Sequence, residues 1–320
     1  MRKINLQEKI NFFRRLKNFN LYSYNNFKII LMKKEISLVA GLPQQFTEQQ
    51  RHIVLVFIFS LLFVAGLQAQ QRDVPYVPTP EDVVEKMLEV ANVGPGDYVI
   101  DLGSGDGRIV IAAAKRGAFA HGVDIDPQRI KEANANAREA GVEDKVVFVE
   151  GNIFETDISS ASVVTMYLLS TVNLKLRPKL LDTLEPGTRI VSHSFDMNDW
   201  NPDNQYNVDY RNVYYWVIPA KINGSWSWNV DGKKFTMDVT QKFQELELGL
   251  KSGNTNLNVS ESALSGDRIS FRASNPSNGE RYVFSGRIED EKITGLVQVH
   301  NGTESSVESW SASNGRVSGK

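Results

Sequence analysis

The stretch VIDLGSGDGRIVIAAAKRGA, Val99–Ala118, constrains the chain more than any other: an apolar strand, a turn with Gly103, Gly105 and Gly107, then an apolar helix. The sequence around it keeps to the same grammar. Thr79-Pro80-Glu81-Asp82 offers an N-cap, a proline at the first helical position and acids in the first turn. Val83, Val84, Met87, Leu88 and Val90 follow at helical spacing, which predicts a helix to about Ala91. After the strand at Tyr98–Ile100 and a helix over Arg108–Arg116, strands are expected at Phe119–Val123, Val146–Val149, Ser162–Tyr167 and Arg189–His193. Helices are expected at Pro127–Ala140 and Leu174–Leu184. Strands alternating with helices of this length imply a doubly wound, mostly parallel α/β sheet.

The last hundred residues are different. Ser225–Val230 alternates, Asp231-Gly232 is a hairpin signal, and Phe235–Gln241 alternates again. Arg268–Arg272, Tyr282–Ile288, Ile293–Val299 and Ser306–Ser311 continue the series, so an antiparallel all-β sandwich or barrel is expected after the α/β part. Trp226 and Trp228 share one face of their strand, as core or as part of a surface that engages glycan, envelope or a partner protein.

At the other end, residues 1–52 are basic and without sustained periodicity. Residues 53–69 open with 15 uncharged positions, Ile53–Leu67, and run into Gln68-Ala69-Gln70. That is the length of a signal-peptide apolar region and short for a spanning helix of about 20 residues. A buried core helix is a third reading, weakened by a run that is apolar on all faces; cleavage near Ala69 or an uncleaved anchor would both put the rest of the chain outside the cytoplasm, in the periplasm or envelope. The expected organisation is therefore a leader (1–52), a signal peptide or anchor (53–69), an α/β domain (70–220) and a β domain (221–320).

Charge and composition exclude several functions. Lys and Arg number 10 against 3 Asp and Glu in 1–52, 14 against 23 in 53–220, and 12 against 12 in 221–320. An acidic middle is a poor match for a phosphate backbone, so no nucleic-acid partner is expected. The chain has no cysteine, and its four histidines lie far apart in sequence, so neither a disulfide framework nor a metal site is expected.

The glycine turn narrows the ligand. GxGxG is followed by Arg108 where a dinucleotide fingerprint needs glycine, and the lysine of a P-loop is missing. The turn suits close backbone approach to a ligand that lacks a pyrophosphate. Asp124, at the end of the second strand, is placed to accept from both hydroxyls of a ribose. Asp101 and Asp106 also read as caps of the turn and its helix.

VIDLGSGDGRI, the acid in GVDID and this order of elements resemble the Rossmann-like class I S-adenosylmethionine-dependent methyltransferases. PYVPTP, DLGSGDGRIVIAA, MYLLSTVNLKLRPKL and GTRIVSHSFDMNDWNP, within residues 75–203, resemble the mitochondrial lysine methyltransferases that modify ATP synthase and the adenine nucleotide translocase, and their bacterial relatives. The resemblance implies S-adenosyl-L-methionine as cofactor and a protein as substrate. It implies that Asp101, Gly103, Ser104 and Gly105 line the methionine part, Asp124 holds the ribose and Ile125 flanks the adenine. Asn152 stands where the wider superfamily often has an aspartate for the adenine amino group. Tyr76 closes over the cofactor in the family, and reads equally as a packing aromatic. The chain departs from the mitochondrial members after the fourth strand, where Ser170-Thr171 replaces a proline-containing turn.

On the acceptor side Tyr167 is the first candidate, at a strand end that is equally a core position. His193 and Asp196, in SHSFD, are candidates to accept a proton or orient the substrate, and each alone also reads as structural. Two other functions fit the sequence: a secreted binding module with an idle α/β domain, and methylation of a small cationic molecule by the acidic cleft.

Overall fold

The computed structural model describes residues 76–315. The basic leader and the apolar run, with the export and anchor readings attached to them, lie outside the described residues. Among the described residues no helix is long and apolar enough to cross a membrane.

The first unit is a seven-stranded sheet flanked by helices. Its strands are β1 (Tyr98–Leu102), β2 (Phe119–Asp124), β3 (Val146–Glu150), β4 (Val163–Met166), β5 (Arg189–His193), β6 (Asn204–Val208) and β7 (Arg211–Val217). The spatial order is β3-β2-β1-β4-β5-β7-β6. The first five are parallel, and β7 runs antiparallel to both β5 and β6. Every residue of β1 is buried, as a strand covered on both faces requires. The strand order reverses between β1 and β4, and the carboxyl ends of the strands there open onto a cleft.

Four helices cover the sheet: α1 (Glu81–Val90), α2 (Arg108–Lys115), α3 (Pro127–Glu139) and α4 (Ser170–Thr183). In α3, Pro127 takes the first position and the Asp126 carboxylate accepts from the Gln128 amide at 3.0 Å. α1 differs from expectation. The Thr79 hydroxyl makes no cap bond and instead meets His193 Nδ1 at 3.2 Å, while the Pro80 carbonyl accepts from the Val83 and Val84 amides. α4 begins four residues earlier than its apolar spacing predicts. Buried Asn173 holds its first turn by donating to Ser192 Oγ and to the Phe195 and Asp196 carbonyls.

The hairpin β6–β7 carries no glycine signal. Its turn residues Asp209 and Tyr210 both have positive φ, 45° and 65°, and the Tyr210 amide donates to Asn207 Oδ1 at 3.1 Å. Left-handed backbone is costly for a bulky side chain, so turn propensities do not point to this pair.

The second unit is a closed barrel of eight antiparallel strands: β8 (Gly224–Val230), β9 (Lys233–Lys242), β10 (Glu245–Ser252), β11 (Thr255–Ser265), β12 (Arg268–Ser274), β13 (Arg281–Glu289), β14 (Lys292–Asn301) and β15 (Glu304–Asn314). Asp231-Gly232 forms the expected two-residue turn, pairing Val230 with Lys233. β10 and β11 add to the six strands expected here.

Trp226 and Trp228 point inward and are buried among Phe235, Phe284 and Trp310, which removes them from any such binding surface. Apolar residues face in and polar residues out, the reverse of a lipid-embedded barrel. The barrel joins the first unit through Phe243, stacked on Trp200 at 5.6 Å between ring centroids, and through Trp200 Nε1 donating to Gln244 Oε1 at 2.9 Å.

Candidate active site

The glycine turn after β1 is tied to the next strand by its own backbone. The Gly103 and Ser104 amides donate to the Val123 carbonyl at 2.8 and 2.9 Å. All three glycines have positive φ, 82° at Gly103, 52° at Gly105 and 82° at Gly107. Their surroundings differ. A Cβ on Gly103 would stand 2.9 Å from Leu168 Cδ2, and one on Gly105 would stand 2.6 Å from Tyr76 Cε2, both residues of the cleft wall. A Cβ on Gly107 would strike Phe148 and Ala133 in the buried core. The first two glycines keep side chains out of the cleft, whereas the third lets α2 pack close to the sheet and α3.

Asp124 ends β2 with its side chain fixed. Oδ2 accepts from the Gly105 amide at 2.8 Å and Oδ1 from the Asp126 amide at 2.9 Å. A carboxylate has about four lone-pair sites, so roughly two remain for hydroxyls in the cleft. Asp101, one strand over, is enclosed and accepts from Thr165 Oγ1 at 2.7 Å. Burial pushes its pKa up to about 7; the Thr165 bond opposes the shift, and the Asp124 and Asp106 charges add to it.

Asp106 faces Arg108 at 2.6 Å. Burial raises its pKa, but the bonds to Arg108 outweigh that and hold it below the usual carboxylate range. Asp106 also accepts from the Arg108 amide at 3.3 Å and borders the cleft, while the N-cap position of α2 is Gly107, with no side-chain cap bond. Ser104 Oγ is buried and has no hydrogen-bond partner.

These groups line one cleft that is open to solvent at its mouth. Tyr76, Asp101, Gly103, Ser104, Gly105, Asp124, Ile125, Asn152 and Tyr167 all border it. Tyr76 lies over the turn, with the Arg129 guanidinium 4.5 Å from its ring centroid. Asn152 has its amide engaged, Oδ1 accepting from the Phe154 amide and Nδ2 donating to Glu155, both at 3.0 Å.

The acceptor-side candidates separate. Tyr167 borders the cleft and lies 3.9 Å, centroid to centroid, from the His193 ring. His193 sits behind it, outside the lining. Burial pushes its pKa down to about 4, aided by the Arg211 charge and opposed by Asp82. An imidazole that weakly basic is a poor acceptor for a proton from an amine, so the structure gives His193 a supporting position. Asp196 does not reach the cleft: it is exposed, and its carboxylate accepts from the Asn198 amide at 3.2 Å.

Sequence reasoning misses Thr165, whose value lies in a cross-strand bond, and Ile153, Phe154 and Val172, which line the cleft from a loop and a helix. The β2–β1–β4 register brings Asp101 beside Thr165, and only that pairing reveals the contact.

The sheet order, the glycine cradle that a Cβ would fill and the spare acceptor capacity of Asp124 fit a nucleoside with no diphosphate. Together they define a Rossmann-like, S-adenosylmethionine-dependent methyltransferase. Comparison with known proteins narrows the class. Residues 101–204 match the ANTKMT methyltransferase domain. A protein-lysine N-methyltransferase of Saccharolobus islandicus is 53% identical over 151 residues, 45% of this chain and 94% of that protein. The adenine nucleotide translocase lysine N-methyltransferase of Mus musculus is 33% identical over 148 residues, 45% of this chain and 64% of its own length. A Salinibacter ruber crystal structure described as an RNA methyltransferase with S-adenosyl-L-homocysteine shares 54% identity, covering 46% of this chain and 96% of that one, with a TM-score of 0.45. The chain belongs to the ANTKMT methyltransferase family.

Proposed function

We propose that this chain methylates the side-chain amine of a lysine in a protein, by in-line transfer from S-adenosylmethionine. The observation that carries the reading is the 53% identity to a protein-lysine N-methyltransferase of which 94% is covered. The bound cofactor supplies a methyl on a sulfonium, whose departure leaves a neutral sulfur and needs no acid. What the chain has to do is align and desolvate. At pH 7 a lysine amine with an ordinary pKa near 10.4 lies about 4.6 kcal/mol from its neutral form. The apolar side chains of Leu168 and Val172, with the Tyr167 ring, supply a wall that favours the neutral amine. An uncharged His193, held by its bond to Thr79, packs behind Tyr167 with its ring tilted by 35° and backs that ring.

The test supplies the full chain and methyl-labelled S-adenosylmethionine to a cell extract split into envelope and soluble fractions, each resolved into protein, nucleic acid and small molecules. The expected result is label on lysine Nζ of protein, in the envelope fraction if the export reading of 53–69 holds. Label confined to RNA or small molecules would overturn the protein-lysine assignment.

A pH dependence follows from Asp101. If the ammonium of the methionine part binds near this carboxyl, as the family resemblance implies, the positive charge pulls its pKa down from about 7. Binding then releases a proton below that pH, and affinity rises with pH. S-adenosylhomocysteine should bind about 10-fold more tightly at pH 8 than at pH 6, with a buffer-dependent heat at pH 6 to 7. Asp101→Asn should flatten the profile. A flat profile in the wild type would place the ammonium elsewhere.

A further inference from the structure

Lys179 projects from α4 toward the loop after β3, outside the residues that line the cleft. Its ammonium has three N–H donors, and all three are spent on that loop's carbonyls: Ile153 at 3.3 Å, Phe154 at 2.8 Å and Thr156 at 2.5 Å. The loop is tightly folded on its own side as well. The Asn152 carbonyl accepts from the Glu155 and Thr156 amides and from Thr156 Oγ1, at 2.9, 3.0 and 2.9 Å.

Folding this way turns the carbonyls of 153, 154 and 156 toward α4, and the side chains of Ile153 and Phe154 border the cleft together with Ile125. Three carbonyl dipoles converging on one place repel one another unless a cation lies between them. Lysine is suited to this position because its ammonium presents donors in a tripod, whereas the planar arginine fork does not.

We infer that Lys179 is a positioning residue: it sets the loop that forms the wall for the base of the bound nucleoside, and so acts on cofactor affinity from outside the cleft. The inference rests on the reading of the cleft as the cofactor site. A lysine pinned to three backbone carbonyls fixes the main chain, so the position of Ile153 and Phe154 relative to Ile125 depends on it. Burial, the largest influence on Lys179, holds its pKa below the ordinary lysine value, and Asp157 and Glu155 oppose that.

The experiment titrates full-length wild type, Lys179→Met and Lys179→Arg with S-adenosylhomocysteine and, separately, with adenosine, and follows amide hydrogen exchange at 153–157. Lys179→Met should bind both ligands about 10-fold more weakly, by the same factor, because both carry the base. In the labelling assay its KM for S-adenosylmethionine should rise with kcat unchanged. Lys179→Arg should lose about 3-fold, since its fork satisfies fewer of the carbonyls. The loop amides should exchange faster in both variants.

A folded Lys179→Met with wild-type affinity for both ligands overturns the inference. If that variant does not fold, Lys179→Arg with unchanged affinity and unchanged loop exchange overturns it instead. A wild type that binds neither ligand removes the cofactor reading itself, which is a separate failure.

Discussion

Asp124→Ala is expected to weaken S-adenosylhomocysteine binding by about 100-fold in calorimetry of the full chain, the largest effect of any single substitution on the cleft. Two hydrogen bonds from ribose hydroxyls to an ionised acceptor contribute roughly 1.5 to 3 kcal/mol each, and partial compensation by water leaves a net loss near 3 kcal/mol. The substitution also frees the Gly105 and Asp126 amides, which now donate to the two carboxylate oxygens. The glycine turn would lose the bond that ties its middle to β2.

Asp126→Ala is the neighbouring comparison, at a residue that also borders the cleft. Its carboxylate caps α3 by accepting from Gln128, so its loss should cost about 1 kcal/mol of stability and leave affinity within about 3-fold. An Asp126→Ala variant that binds as weakly as Asp124→Ala would mean that Asp124 does not by itself set affinity at the carboxyl edge of β2.

The second large effect is on stability. Gly107→Ala should lower the free energy of unfolding by about 3 kcal/mol, read as a drop in the urea midpoint. Left-handed backbone costs an alanine roughly 1 to 2 kcal/mol, and overpacking adds roughly 1 to 3. The new methyl would stand 2.6 Å from Phe148 Cζ and 2.9 Å from Ala133 Cβ, in a part of the core with no slack. Affinity per folded molecule should change little. Gly105→Ala should do the opposite, because the atom it meets belongs to the ring of Tyr76, which is 43% exposed and can move. Its cost should fall on ligand binding, and its urea midpoint should shift by about a third as much. An unchanged midpoint for Gly107→Ala would show that the third glycine is not a packing requirement.

The contrast between those glycines shows what sequence can and cannot reveal. The spacing Gly103, Gly105, Gly107 announces a turn that approaches a ligand, and Arg108 excludes a dinucleotide, because those are properties of the local chain. Which glycine faces the cleft and which faces Phe148 depends on α3 and β3, brought in from 25 or more residues away. Asp124 is readable for the same reason as the turn: it follows a strand at a fixed distance.

Acceptor-side residues are less readable. His193 and Asp196 share one short segment, yet strand β5 ends between them, so one is buried behind Tyr167 and the other is exposed. Thr79 looks like a helix cap in sequence, but its hydroxyl faces His193 across 114 residues of chain. Edge strand β6, with mostly exposed side chains, and its partner β7 joined by a non-glycine turn, give no periodic signal strong enough to stand out. Lys179 escapes notice because its partners are main-chain carbonyls, which every residue has.

Everything proposed for this chain depends on a nucleoside held at the end of β2. The direct measurement is a crystal structure of the full-length protein grown with S-adenosylhomocysteine. The expected result has both ribose hydroxyls within about 3 Å of the Asp124 carboxylate and the base against Ile125 and Phe154. A ligand bound away from the cleft, or an Asp124 that keeps only its two amide bonds while the sugar lies elsewhere, would contradict it.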